Sequence, residues 1–392
     1  MELSKSRIYS IDLLRGLVMI IMTLDHTRDF FHFDAFLHDP LDVNTTSPWL
    51  FFTRWITHFC APVFVFLSGT SIFLQGLRKS KIELRSFLIK RGFWLICTEL
   101  FIINFSWTFD ITMRTYVLQV IWAIGISMVC MSAIIRLPFK TIVISGLIIV
   151  FGHNVFDYVE STHHGFWWDL LRNGNFATYP FHEGHSLIII YPFLPWLGLM
   201  MLGYCFGTFF TVQSNPAYRK RVFIKTGIAL ILFFILLRYA NGYGNPYHWT
   251  VQNSWLFTKM SFLNVHKYPP SLLFLCMTIG PALLFLAFTE KSQNRLSNII
   301  SIYGRVPFFY YVLHFFLLHL IASMLWVTRG HSLTESTPDI FGIPFRYILA
   351  GEGYSLKTVY LVWILVVMAL YPLCHGFNEY RKRKKYWWLS YL

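Results

Sequence analysis

Charged and imidazole side chains inside an otherwise apolar run are the first feature of this sequence that could do chemistry. Residues 17–24 are apolar. They are preceded by Ser10-Ile11-Asp12-Leu13-Leu14-Arg15-Gly16 and followed by Asp25-His26-Thr27-Arg28-Asp29-Phe30-Phe31. Charge inside a membrane span is costly and usually functional. Asp12, Arg15, Met19, Met22, His26 and Asp29 follow one another at spacings of 3, 4, 3, 4 and 3, so they share one helix face. At about 1.5 Å per residue that stripe runs roughly 25 Å. Asp12 and Arg15 read as an i,i+3 ion pair that fixes the start of the helix. His26 reads either as a buried histidine satisfied by Asp25, Asp29 or a neighbouring helix, or as a proton-transfer group.

A second set lies in Arg54-Trp55-Ile56-Thr57-His58. Arg54 and His58 are i,i+4 and share a face, at a depth similar to His26 if the second span runs back across the membrane. Two histidines with Asp25 and Asp29 could form an acid/base site with a carboxylate orienting one imidazole, or hold a metal. Tyr310 and His314, also i,i+4, are relay, substrate-contact or helix-glue candidates. Glu99 lies at mid-depth without an evident partner. Arg305, just before a helix starting at Val306-Pro307, suits an anion site, and Arg91, Arg136 and Lys140 lie on the same side. Singly, each of these also reads as an ordinary positive-inside residue. No Walker loop, nucleophile elbow or dinucleotide fingerprint accompanies them, and nothing beyond net charge suggests nucleic acid.

The elements that must position these groups are membrane helices. The chain of 392 residues is 55% hydrophobic and 13% charged, against roughly 25% charged in soluble domains. Mean hydropathy is +0.51. Ten apolar runs are long enough to be spans: about 8–31, 49–77, 87–107, 116–135, 141–156, 185–210, 222–239, 271–288, 306–326 and 358–375. Basic residues fall on one side of that pattern: Lys5 and Arg7, Arg78 to Arg91, Arg136 and Lys140, Arg219 to Lys225, Lys291 to Arg305, and Arg381 to Lys385. The expected fold is an all-α polytopic bundle of about ten transmembrane helices, a single domain over 1–392 with a short basic tail from about 378. Both termini are cytoplasmic on this count. The first run carries charge and lacks a small-residue cleavage site, so it is expected to stay as a span. The opposite loops (33–48, 157–184, 241–270 and 329–356) are aromatic and Gly/Pro-punctuated, and are expected to cover an outward-facing cavity. Pro192, Pro195, Pro281 and Pro372 are expected to kink helices around it. The six cysteines lie in apolar segments without CxxC spacing, so buried thiols are expected. The small residues Ser68, Gly69, Thr70 and Ser71 that end the second run permit close helix approach. No internal repeat is evident.

These segments resemble a known family. Ser10 to Gly16 with Leu24 to Phe31, then Thr57-His58-Phe59-Cys60-Ala61-Pro62-Val63-Phe64-Val65-Phe66-Leu67-Ser68-Gly69, Lys267-Tyr268-Pro269-Pro270-Ser271 and Gly304-Arg305-Val306-Pro307-Phe308-Phe309-Tyr310-Tyr311, are similar to the bacterial branch of the heparan-α-glucosaminide N-acetyltransferase catalytic-domain family, within the transmembrane acyltransferases. The resemblance implies N- or O-acetyl transfer across a bacterial inner membrane, from cytoplasmic acetyl-CoA to an amino-sugar or other glycan acceptor outside. Lipid is the surrounding partner, a homodimer is left open, and no metal is expected. A histidine in the loop after the first span is implicated in the lysosomal relative. His32 and His38 occupy that region here with different flanking residues, so the role is not carried over to either. His26 is the expected general base or acyl carrier, with Asp25 or Asp29 orienting it. His58 and Arg54 position the acceptor or polarise the thioester carbonyl, while His314, Tyr310 and Arg28 contact substrate. Arg305, Arg91, Arg136 and Lys140 are the expected acetyl-CoA contacts. A proton-coupled transporter using the intramembrane Asp and His residues is the alternative from another class, and a non-catalytic membrane scaffold is a third.

Overall fold

The structure is a computed structural model. It describes residues 8–158, 165–211, 214–291, 293–336, 345–348, 351–384 and 386–390. The basic residues Lys5, Arg7 and Lys385, and parts of the loops 157–184 and 329–356, lie outside the described residues.

The chain opens with α1 (Tyr9–Phe31), followed by α2 (Pro48–Ile56), a 3-10 turn Thr57–Phe59 and α3 (Cys60–Gly76). Next come α4 (Lys81–Thr98), a π-helical turn Glu99–Ile103 and α5 (Asn104–Thr108). Strand β1 (Thr115–Leu118) leads into α6 (Val120–Ile134), α7 (Phe139–Gly152) and α8 (Gly165–Leu171). Strands β2 (Ala177–His182) and β3 (His185–Ile189) precede α9 (Phe193–Phe206) and α10 (Pro216–Ala240). The remainder is α11 (Trp255–Leu263), α12 (Leu272–Thr289), α13 (Arg295–Arg305), α14 (Pro307–Thr328) and α15 (Leu356–Arg383). Seven helical stretches are long and apolar enough to cross a membrane: Pro48–Gly76, Phe139–Tyr158, Phe193–Phe210, Pro216–Ala240, Leu272–Thr289, Pro307–Thr328 and Leu356–Arg383. The protein is therefore a mostly helical membrane protein. Helix α1 is not among the seven because of its charges, yet 17 of its 23 residues are buried. It packs against α2, α3, α12, α13, α14 and α15, which makes it the bundle's centre.

Two of the ten expected spans begin differently. Residues 116–118 and 185–189 read as span starts but pair as strands in a small sheet of order β1-β3-β2. Strand β1 lies parallel to β3, with Thr115 opposite Ser186, and β2 antiparallel, with Ala177 opposite Ile189. A short apolar run rich in Ile, Val, Thr and Tyr suits a strand as well as a helix, and hydropathy does not separate them. Pro192 then caps α9 rather than kinking it. Cys60, Cys276 and Cys374 are buried as expected, but Cys97 is exposed. It sits on α4, whose Phe93 and Trp94 also face outward.

Glycine sets the closest helix approaches. A Cβ on Gly16 would stand 2.0 Å from the Ile300 carbonyl oxygen, and one on Gly304 1.8 Å from that of Asp12, so α1 and α13 touch backbone to backbone. Gly69 and Gly203 do the same for α3 and α9, where Cβ atoms would meet Met200 and Phe66 carbonyl oxygens at 2.0 and 2.1 Å. This is the close approach that the small residues at the end of the second run permit.

Candidate active site

Two cavities enter the bundle from opposite ends of α1. The one at its C-terminal end, about 400 Å³, is lined by Asp25, His26, Arg28, Asp29 and Arg54, with Lys267, Tyr268, Tyr191 and Trp107. All four long loops roof it or adjoin its roof, through Asp34 and Phe36, Phe176, Lys267 and Phe345. The cavity at the N-terminal end, about 300 Å³, has Arg15, Arg91, Arg305 and Arg381 on its wall with Ser68 and Ser71. Phe64, Val120 and Tyr311 belong to both walls, so the two cavities adjoin there.

His26 is paired with His314, not with His58 or a carboxylate. Its Nδ1 lies 2.7 Å from His314 Nε2, and its ring packs on Phe315 and edge-on to Trp107. His314 Nδ1 lies 3.1 Å from the Tyr310 carbonyl oxygen. A carbonyl only accepts, so His314 Nδ1 carries a hydrogen. In the neutral ring Nε2 then has the lone pair, and the proton between the rings belongs to His26 Nδ1. That leaves the lone pair of His26 on Nε2, on a residue of the cavity wall. A fixed tautomer with a free lone pair is what a general base requires. Thr23 Oγ1 and the Tyr310 hydroxyl, 2.6 Å apart, lock the same two helices one turn earlier. The pairs Thr23–Tyr310, His26–His314 and Phe30–His319 advance together, so α1 and α14 run parallel.

The carboxylates serve the cations instead. Asp25 is ion-paired with Arg54 from the last turn of α2 and, at 3.1 Å, with Arg28. Arg28 also holds Asp29 at 2.5 Å. The expectation that Asp25 or Asp29 orients His26 is corrected: two arginines draw both carboxylates away from the imidazole. His58 is corrected too. The helix tightens into a 3-10 turn at Thr57–Phe59, and the His58 ring packs edge-on against Phe274. It is wholly buried, neither ring nitrogen has a partner, and it does not line the His26 cavity. Tyr310 is likewise buried on Thr23, and its neighbour Tyr311 lines the cavities in its place. His32, accepting from the Asp34 backbone N–H, and exposed His38, on the Asp34 carboxylate, stand at the outer rim.

At the other end, Asp12 lies 3.6 Å from Arg15 and 3.7 Å from Arg305. The expected Asp12–Arg15 pair is present, and the contact of α1 with α13 brings Arg305 to it. Arg305 ends α13 immediately before α14 starts at Pro307, as the sequence suggested. Arg305 and Arg91 face the cavity; Arg136 and Lys140 do not line it. They sit near the turn between α6 and α7, away from α1. Arg15 and Arg381 also line it, which the sequence did not indicate. Glu99 accepts from the Trp122 backbone N–H at 2.8 Å and so caps α6, which supplies the partner the sequence left unnamed.

Lys267 and Tyr268 come from a loop that Ser271 and Asn245 organise. Ser271 N–H donates to the His266 carbonyl oxygen, its Oγ bonds Asn245 Oδ1, and it caps α12. Burial opposes ionisation of the Tyr268 phenol, but Lys267 and Arg54 beside it outweigh burial and hold its pKa below the usual range. The segment Lys267-Tyr268-Pro269-Pro270-Ser271, one of those that carry the resemblance, was the sequence signal for this wall. Among the described residues no three His, Cys, Asp or Glu side chains gather as a metal site requires.

A family model described as heparan-alpha-glucosaminide N-acetyltransferase, catalytic, matches residues 7–239. The chain belongs to this family. The family is one of acetyltransferases, so this is a membrane protein of an acetyltransferase family. The matched residues include α1 with His26, Asp25 and Asp29, and Arg54 and Arg91. His314, Arg305, Lys267 and Tyr311 lie beyond them. No curated protein sequence matches the chain.

Proposed function

We propose that the protein transfers an acetyl group from acetyl-CoA, held at the N-terminal end of α1, to an amino-sugar or other glycan acceptor in the cavity at its C-terminal end. One observation carries this reading: two cavities with different chemistry adjoin inside the bundle, one walled by arginines and the other by a histidine with a free lone pair. Arg15, Arg91, Arg305 and Arg381 suit the phosphates of the donor, since guanidinium groups bind phosphate oxygens in pairs. The shared wall at Phe64, Val120 and Tyr311 suits the narrow thioester arm. His26 Nε2 takes the proton from the acceptor amine or hydroxyl as that group attacks the thioester carbonyl. The C–S bond breaks, and the thiolate leaves with the proton returned by His26. His314 accepts the hydrogen bond from His26 Nδ1 throughout and so stabilises the transient imidazolium.

On this reading the ten helical runs are ten spans of a multi-pass protein of the bacterial inner membrane. Both termini are cytoplasmic, with the arginine cavity inside and the histidine cavity outside. The parallel course of α1 and α14 supports the count, because the first and ninth spans must run the same way. The test is purified protein in detergent with labelled acetyl-CoA and a panel of amino sugars and cell-wall fragments. Label is expected on at least one acceptor. No donor binding together with no transfer overturns the proposal, and substrate-dependent proton flux in liposomes then favours the transporter.

A further inference from the structure

Tyr311 carries a buried hydroxyl that the fold itself does not use. The residue is 4% exposed, and its hydroxyl makes no hydrogen bond among the described residues. Its neighbours differ: the Tyr310 hydroxyl lies 2.6 Å from Thr23 Oγ1, and the Tyr303 hydroxyl donates to the Val367 carbonyl oxygen at 2.9 Å. Buried polar groups in native structures are almost always paired, so one that is not calls for an explanation. Tyr311 lines both the arginine cavity and the His26 cavity. Of the residues that do so it alone has a polar side chain, beside Phe64 and Val120.

The place of this hydroxyl follows from α14. Tyr311 and His314 are i,i+3 and so are neighbours on one helix surface. Helix α14 starts at Pro307, beside Arg305 of the arginine cavity. Tyr311 therefore stands about 4.5 Å nearer to that cavity along the helix than His314 does. Its ring packs edge-on to His314 and Phe315, with centroids 5.6 and 5.1 Å away. The His26 ring packs on the same two side chains, at 5.0 and 4.2 Å. One pair of rings thus holds both the imidazole and the phenol. The cations of the His26 cavity are engaged elsewhere: Arg54 and Arg28 hold Asp25 and Asp29, and Lys267 stands over the Tyr268 ring. When an amine or hydroxyl attacks a thioester, the carbonyl π electrons move onto oxygen, and that charge is stabilised by a hydrogen-bond donor already in place.

We infer that Tyr311 is a catalytic residue whose O–H donates a hydrogen bond to the thioester carbonyl oxygen as the acceptor attacks. The inference rests on the reading of the two cavities as donor and acceptor sites. The new bond joins the acceptor nitrogen or oxygen to the carbonyl carbon, and His26 Nε2 takes the acceptor's proton. The carbonyl oxygen becomes an oxyanion against the Tyr311 O–H, which keeps its own proton. The carbonyl then re-forms, the C–S bond breaks, and the thiolate receives the proton from His26.

Tyr311→Phe removes only the oxygen, and the test compares this variant with wild type as full-length protein in detergent. In steady-state transfer from labelled acetyl-CoA, kcat is expected to fall about 100- to 1,000-fold. KM for both substrates and the melting temperature should change little, because the hydroxyl has no partner in the fold. A second readout needs no turnover: difference infrared spectroscopy of acetyl-CoA isotope-labelled at the thioester carbonyl, bound without acceptor. The carbonyl band is expected at lower frequency in wild type than in Tyr311→Phe. An undiminished kcat, or equal band positions, overturns the inference. A variant that does not fold overturns it too, since the hydroxyl would then be serving the fold. Failure of wild type itself to bind or transfer the acetyl group is a different result: it refutes the reading of the cavities, and this inference with it.

Discussion

Replacing His314 tests the relay on which the catalytic reading depends. His314 Nε2 is the acceptor for His26 Nδ1–H at 2.7 Å, and His314 itself is absent from the wall of the acceptor cavity. When His26 takes a proton it becomes a buried cation whose Nδ1–H still points at His314. A hydrogen bond to a charged group contributes about 1.5–3 kcal/mol. The neutral hydrogen bond already present contributes about 0.5–1.5 kcal/mol, so the difference is about 1–1.5 kcal/mol, and at 1.36 kcal/mol per decade of rate His314→Phe should lower kcat by about 5- to 13-fold. The ground state loses less, because neutral His26 needs only a neutral acceptor, and KM for both substrates should change little. Stability should fall by about 1–3 kcal/mol for the unpaired N–H. His314→Gln keeps an oxygen able to accept and should recover some of the lost kcat. The assay is steady-state transfer from labelled acetyl-CoA, with kcat and KM separated and thermal melting run in parallel. Full kcat in His314→Phe, or equal loss in the Phe and Gln variants, refutes the tautomer argument.

Breaking the Asp25–Arg54 pair with Arg54→Met should destabilise the protein by about 3–5 kcal/mol. Adding Asp25→Asn should recover some of that, read as melting temperature in detergent. Gly69→Ala must push apart backbones now close enough to put its Cβ 2.0 Å from an oxygen. It should cost about 1–3 kcal/mol by the same measurement. Arg305→Gln should weaken acetyl-CoA binding and flatten its salt dependence, with kcat at saturating donor little changed; an unaltered titration would remove Arg305 from the donor site. Burial holds the His266 imidazole pKa below its ordinary value of 6.5, more than its neighbours raise it. The folded state therefore resists its protonation, and stability falls as pH drops through about 6.5, where the unfolded chain takes up the proton. His266→Gln should shrink the difference in melting temperature between about pH 7.5 and 5.5, and an unchanged difference would exclude His266 as a contributor.

The helical runs were legible because a span announces itself in length and hydropathy, and the central place of α1 because its charges made no sense on a lipid-facing helix. The strands were hidden inside runs such as 185–189, where the same apolar residues serve either structure. Asp12 and Arg15 could be paired from spacing alone. His314 could not be assigned to His26, 288 residues away, without the packing of α14 on α1. His58 shares a cavity wall with Arg54, as i,i+4 spacing suggests, but that cavity is not the one His26 lines, and spacing alone does not say which cavity a shared face meets. Arg136 and Lys140 share their sign and side with Arg305, but only packing decides which cations reach a cavity. Lys267 stood in one of the segments that carry the family resemblance, but its place on the wall of the His26 cavity is a tertiary fact.

The wall that two cavities share at Phe64, Val120 and Tyr311 has a bearing on electrical insulation. A protein that opens a water-filled path from one face of a bilayer to the other would let protons run down their gradient, and every turnover would leak current. The wall the two cavities share, one phenylalanine, one valine and one tyrosine, is too apolar to be wetted readily. A substrate arm lying against it would act as its own stopper. Under the proposed transfer, chemistry would be handed across the bilayer while the membrane around it stays charged.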